Sequence, residues 1–397
     1  MNAASRPLVG VVAALAVAAA ACGSSTSKSS PQGAASSGGQ SASSAGAPTS
    51  AGPTVDANEL TALAKAAAGK AGAPVKVPPK TIGYLRYVAA APADQRVYEA
   101  AVAAAAVLGW KVIPCDGAGD PTKLAACGNT LLNQKIDALL DDGVPPSIIA
   151  TSLARAKAAG IPTLYSGGTV DNAASYSAGY VPPDGQMGEV LANYVTSQLK
   201  GKSGGVIVQG FPTSWGIQRV DALKTAAKAA NISIDSQQDA DGTNLVAGTQ
   251  AQMAAQLNAH PNAKGMWITF ETAVIGAAQA VQAKSPGKKF PQRPLLVTFY
   301  ANLPTIQLIR AGKVDAAIED SLEWSSWVAM DQMAEFFARK TSFAKDVRPD
   351  YGKGLDFWRP TLVTKDNAPS EGQLVTPPID FTTFFKAKWK TEFNAAG

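Results

Sequence analysis

Histidine is almost missing from this chain: 397 residues contain one, His260. A single imidazole can build neither a His-based metal cluster nor a Ser-His-Asp triad, which removes many enzyme classes at once. His260 stands in "NAHPNAKG", at the expected end of a helix beside a proline, where it serves as a cation or cap. Charge is scarce too, at 16% of residues, and nearly balanced at +5. Two of the 35 basic residues, Arg6 and Lys28, lie in the first 55 positions, where there is no acid at all. Against the 30 acidic residues, the rest of the chain keeps a basic surplus of only three. That gives no electrostatic case for nucleic acid. With 46% hydrophobic residues, the chain can bury one large or two medium cores.

Long apolar runs are absent as well. The longest begins the chain, from Leu8 to Ala21, and is short for a bilayer span. Arg6 precedes it and small residues close it, the layout of an export signal. It ends at Cys22-Gly23 and resembles a bacterial lipoprotein signal, in which the cysteine becomes the lipid-bearing N-terminus. Ala19, three residues before Cys22, departs from the leucine common there. An ordinary secretory signal with an incidental cysteine is the alternative. Residues 23–55 are almost entirely Ser, Gly, Ala, Thr and Pro. Such a tract cannot bury enough apolar area to offset ordering entropy, so a flexible tether is expected over 23–75, after a signal at 1–22.

The two remaining cysteines, Cys115 and Cys127, bracket "DGAGDPTKLAA". In an exported protein they are expected to form a disulfide, worth roughly 3 kcal/mol for so small a loop. Two buried thiols are the alternative.

From residue 80 the chain alternates strand-like and helix-like segments. "TIGYLRY", "KVIPCD", "DALLDD" and "IPTLYSG" read as strands, with helical periodicity between them. A second series runs through "GVIVQGF", "ISIDSQ", "GMWITF" and "PLLVTFY", and ends in "VDAAIED" and an extended "WRPTLVT". Strands alternating with helices predict parallel sheets covered on both faces, here two doubly wound α/β units in tandem. The strands' C-terminal ends should line a crevice in each, and two facing crevices would enclose a ligand.

The chain resembles the type I periplasmic binding proteins, in particular their ribose- and galactose-binding branch. The likeness is spread over residues 80–366. It is carried by "YEAAVAAAAVLGWKVIPCD", "KIDALLDDGVPPS", "AKAAGIPTLYSGG", "YVPPDGQMGEVLANYV", "GFPTSWGIQRVDAL", "GMWITFETAVIGAAQAV", "LLVTFYANLPTIQLIRAGKVDAAIEDS" and "LVTKDN". The resemblance implies two lobes joined by three crossings: 76–180 with 321–355, and 181–320 with 356–397. It implies a monomer that closes on a small-molecule solute and hands it to an ABC permease, with no cofactor and no metal. A lipid anchor at Cys22 would hold it outside the cell on the membrane.

The resemblance also marks site positions, most of them altered. Where sugar-binding relatives end the fourth strand in Asp-Arg, this chain has Gly167-Gly168, which offers space and backbone, or simply a turn. Ala91, Ala93 and Asp94 replace an Asn and stacking Phe residues, and Asp142 replaces an Asn. Phe270-Glu271 replaces Asn-Asp, Tyr300 an Asp, and Asp320 a Gln; only Arg219 is kept. Tyr87, Tyr165, Phe211, Trp215 and Trp324 are candidate replacement aromatics. Each of these aromatics has core packing as its alternative, and Asp94 has helix capping. Trp110, Trp267 and Trp389 read as core. Arg219 has pairing with Asp142 or Asp320 across the cleft as its alternative. The function implied is capture of a neutral or weakly cationic solute, a sugar, polyol or sugar-like molecule. A signalling receptor is the second reading. An esterase built on the serine of "GFPTSWG" is a third, weakened because Gly-x-Ser-x-Gly spacing is lacking.

Overall fold

The computed structural model describes residues 55–352 and 354–395. The signal and Cys22 lie outside them. After helix α1 (Ala57–Lys70), the first unit alternates β1 (Thr81–Arg86), α2 (Pro92–Val107), β2 (Lys111–Asp116), α3 (Pro121–Asn133), β3 (Ala138–Asp142), α4 (Ala150–Ala158), β4 (Thr163–Ser166) and the short β5 (Ala178–Gly179). These strands form one all-parallel sheet in the order β2-β1-β3-β4-β5. β1 and β3 are buried on both faces, as the unbroken apolar character of parallel strands predicts, whereas β2, at the edge, is largely open. Helix starts follow from local chemistry: Asp120 caps α3 by accepting from the N–H groups of Thr122 and Lys123 at 2.8 and 3.0 Å. Cys115 and Cys127 are joined, fastening β2 to α3.

The second unit runs α5 (Asp184–Leu199), β6 (Val206–Gly210), α6 (Ser214–Ala229), β7 (Ile234–Asp239), α7 (Leu245–Ala259), β8 (Gly265–Ile268), α8 (Glu271–Lys284), β9 (Leu295–Phe299), α9 (Leu303–Arg310) and β10 (Ala316–Glu319). Its six-stranded sheet has the order β11-β10-β9-β8-β6-β7, parallel except for β11 (Thr361–Thr364), which pairs antiparallel with β10. Between β10 and β11 the chain returns to the first unit as α10 (Trp324–Arg339), which packs on α2 and β4. The architecture is two α/β lobes. No helix among the described residues is long and apolar enough to cross a membrane.

Two expectations need correction. The tether does not run to residue 75: α1 buries Leu60, Ala64 and Ala68, with Asp56 as its cap. The closing helix α11 (Phe381–Phe393) does not belong with the second lobe, as expected for 356–397. It packs against α1 and α10, so the chain passes between the lobes once more after β11. A buried ion cluster fixes it there: Lys388 Nζ donates to Asp331 Oδ1 and Glu392 Oε2, each at 2.7 Å, and the Trp389 indole donates to Asp331 Oδ1 at 2.6 Å. Trp389 stacks on Trp327 at 5.4 Å. The burial of α1 and the polar partners along α10 outweigh the low hydrophobicity of 57–70.

Candidate functional site

In the first lobe the site grows from the C-terminal ends of three adjacent strands. β1 delivers Tyr87 and Val88, and the first turn of α2 delivers Asp94. Asp94 is 4% exposed. It accepts hydrogen bonds from Arg86 Nε at 2.6 Å and from the Val88 N–H at 3.1 Å. Its role is therefore to tie Arg86 and the strand end to the helix start. Burial raises its pKa, and Arg86 opposes the rise. β3 ends in Asp142, beside Asp94 on the same wall. Burial first, and the Asp94 charge second, push Asp142 well above the ordinary carboxyl range. β4 then delivers the double glycine. Gly167 has a left-handed backbone, φ +71°, and a Cβ there would overlap Asp142 Oδ1. A Cβ on Gly168 would lie 2.6 Å from Trp215 Cδ1, across the cleft. The bare strand end leaves room for a carboxylate on one side and an indole on the other.

In the second lobe, Thr213 caps α6 through the Gly216 N–H at 3.2 Å. Trp215 and Arg219 then share a helix face, and the guanidinium sits 4.7 Å from the indole centroid. Arg219 is 2% exposed. Its partner is Asp184 at 2.7 Å, at the start of α5, not Asp142 or Asp320. It also donates to the Thr269 carbonyl at 2.8 Å and to the Tyr300 hydroxyl at 3.0 Å. Burial alone would lower the Arg219 pKa, but Asp184 more than offsets it. Phe211 stacks on Trp215 with centroids 5.0 Å apart, and Phe270, preceding α8, lies 5.7 Å from Trp215.

The lobes meet over this site. Tyr87 of the first packs edge-on to Phe211 of the second at 5.9 Å. The Ala93 N–H, at the start of α2, donates to Glu271 Oε1 at 3.2 Å. Arg96 bonds to Glu319 Oε1 at 2.9 Å, Glu323 Oε1 at 2.7 Å and Asn302 Oδ1 at 2.9 Å. A cavity with about 420 Å³ of empty space, mouth included, remains between them. Tyr87, Asp94, Asp142, Gly167 and Gly168 line it from one lobe, and Trp215, Arg219, Phe270 and Tyr300 from the other.

Four expected residues lie elsewhere. Tyr165 packs into the first lobe's core, 5.0 Å from Tyr176, because its strand is buried on both faces and this side chain takes the face toward Tyr176 and Gly179. Trp324 is fully buried against Trp358 and donates to Asp320 Oδ2 at 3.2 Å, which removes both from the wall. Burial pushes Asp320 well above the usual carboxyl range. Glu271 stands behind the wall, and burial raises it to about 7. Val88 and Leu322 also line the cavity and were not anticipated. Both are small apolar neighbours of strand ends, and nothing in the sequence distinguishes them from core. Among the described residues no group of His, Cys, Asp and Glu is arranged to hold a metal ion.

Residues 82–340 match the family described as periplasmic binding protein domain. The chain belongs to that family. It is a family of substrate-binding proteins, not of enzymes. Solved structures agree in fold. An ABC transporter solute-binding protein from Mycobacterium smegmatis, with bound glycerol, superposes with a TM-score of 0.64 at 23% identity, covering 76% of this chain and 99% of that one. A galactofuranose-binding protein gives 0.63 at 19% identity, covering 79% and 100%. An ABC transporter solute-binding protein from Agrobacterium vitis, with bound allitol, gives 0.63 at 22% identity, covering 74% and 98%. A comparison with curated protein sequences returned no match. The segments beyond the family match contain α1, β11 and α11.

Proposed function

We propose that this protein is an extracytoplasmic solute-binding lipoprotein, anchored through Cys22, that delivers a small sugar, polyol or sugar-like solute to an ABC importer. The observation carrying this reading is the cavity between two lobes, with carboxyls on one wall and aromatic side chains on the other. Rings present flat apolar surfaces to sugar faces, and carboxyls accept from hydroxyls. Solutes bound to similar folds, glycerol and allitol, support the same class. Ligand contacts made to both lobes at once favour closure, because the closed state alone offers the whole set. The test is a thermal-shift screen of the full chain against sugars, polyols and heterocycles, followed by calorimetry. A sugar or polyol that raises the melting temperature supports the reading, since a ligand of the native state must stabilise it. Selective binding of phosphorylated or dicarboxylic solutes would overturn it. Co-purification with a sensor kinase in place of a permease would move the protein to the signalling reading.

A further inference from the structure

Trp215 reaches the cavity by its edge. Thr213 caps α6, and Trp215 and Arg219 follow one turn apart on one side of that helix. The Arg219 guanidinium lies 4.7 Å from the indole centroid. Phe211 stacks on the same ring at 5.0 Å with an interplanar angle of 18°, and Phe270 leans on it at 5.7 Å. The ring faces are thus taken up within the second lobe, and Trp215 offers the cleft its pyrrole edge. A Cβ on Gly168 would lie 2.6 Å from Cδ1 and 3.2 Å from Nε1 of that edge, so the missing side chain of Gly168 leaves the room beside it. The Nε1–H is a donor with no acceptor of the protein's own. Buried indoles usually find one. Trp110 donates to the Pro78 carbonyl at 2.9 Å, Trp324 to Asp320 Oδ2 at 3.2 Å and Trp389 to Asp331 Oδ1 at 2.6 Å. Trp215 is 6% exposed and lines the cavity, and its N–H has no hydrogen-bond partner among the described residues. A donor shut in by lobe closure without an acceptor is costly.

We infer that the Trp215 Nε1–H donates a hydrogen bond to an oxygen of the bound solute, seated beside Gly168, and that Trp215 selects its ligand by this edge contact instead of by stacking. This rests on the sugar and polyol reading above and assigns one of its contacts. The surroundings favour an oxygen. A cation placed here would face the Arg219 guanidinium, whose own bonds already go to Asp184, Thr269 and Tyr300. Carboxyls of Asp94 and Asp142 stand on the other wall. A polyhydroxy solute suits both walls, because each hydroxyl can donate as well as accept.

The test keeps the ring and removes the donor. Trp215 is replaced site-specifically by benzothienylalanine, an isosteric analogue with sulfur where Nε1–H stood. The probe is the tightest binder, by calorimetry on the full chain, among ribose, galactose, allitol, glycerol and any sugar or polyol from the thermal screen. We expect the benzothienyl form to bind it at least about threefold more weakly, the worth of one neutral hydrogen bond. A second readout is magnetic resonance of the natural protein with isotope-labelled tryptophan. The Trp215 indole N–H signal, one of seven and identified by its absence in Trp215→Phe, should move downfield as the probe saturates the site. Binding by the benzothienyl form within about threefold of the natural protein would overturn the inference and leave the sugar and polyol reading standing. So would a Trp215 signal that stays in place or moves upfield. If the benzothienyl form fails to fold, the indole signal decides alone. No binding by any of the named solutes or of the wider sugar and polyol screen would overturn both.

Discussion

Gly168→Ala tests whether the lobes meet as described. The added methyl carbon would lie 2.6 Å from Trp215 Cδ1 and 3.2 Å from Cγ and Nε1. Ordinary carbon contacts lie at about 3.5–4.0 Å, so the gap must widen by about 1 Å. The indole cannot retreat: Phe211 stacks on it at 5.0 Å, Phe270 stands at 5.7 Å and the Arg219 guanidinium at 4.7 Å. Gly168 is not among the glycines with left-handed backbone, so alanine adds no strain within its own lobe. The clash therefore exists only in the closed arrangement. Overpacking of this kind costs about 1–3 kcal/mol, which weakens ligand binding about fivefold to 150-fold. Calorimetry with a solute found by the thermal screen measures the loss, and small-angle scattering at saturation should show a larger radius of gyration. A variant that binds with natural affinity and closes to the natural radius would refute the reasoning, because Trp215 and the double glycine would then not touch in the bound form.

Arg96→Met should open the molecule by removing the tie to Glu319 and Glu323, whose side chains are 1% and 20% exposed. Stranding buried carboxylates costs about 3 kcal/mol, so solute affinity should fall about 100-fold while the open lobes stay folded by circular dichroism. The same tie gives a pH dependence. Burial works to raise Glu319, but Arg96 overrides it and holds the carboxyl below its usual range. A depressed carboxyl stabilises the closed form above the ordinary glutamate range, and that contribution is lost as pH falls through the depressed value. Solute affinity should therefore weaken under acid, and the Arg96→Met variant should lose this component of the dependence. Trp215→Ala removes the ring that contacts the double glycine and should cost at least tenfold in affinity; because the ring also packs on Phe211, Phe270 and Arg219 within its own lobe, the unfolding midpoint of the ligand-free protein should fall as well. Replacing Cys115 and Cys127 by Ser should lower unfolding free energy by about 3 kcal/mol in urea, and reduction of the natural protein should match it.

Much of the site was legible because strand ends in a doubly wound sheet are predictable, and nine expected residues do line the cavity. The failures have identifiable physical causes. Tyr165 was misplaced because parallel strands are apolar on both faces: Leu164 and Tyr165 lie in different core clusters, and sequence does not say which face meets the cleft. Trp324 was misplaced because α10 is buried nearly all round over its first turns, which erases the amphipathic signal. Segment 57–70 reads as tether because it is rich in alanine, and its order depends on α11, more than 300 residues away in sequence.

Periodicity and punctuation determined by themselves that this chain winds into two α/β units and that Gly167-Gly168 ends a strand, because those properties are set by residues near in sequence. Charge partners were decided only in three dimensions. Arg219 found Asp184 rather than Asp142, a choice made by packing at the start of α5. Which carboxyl is neutralised is a matter of distance and exclusion of water, and neither is written in the order of residues.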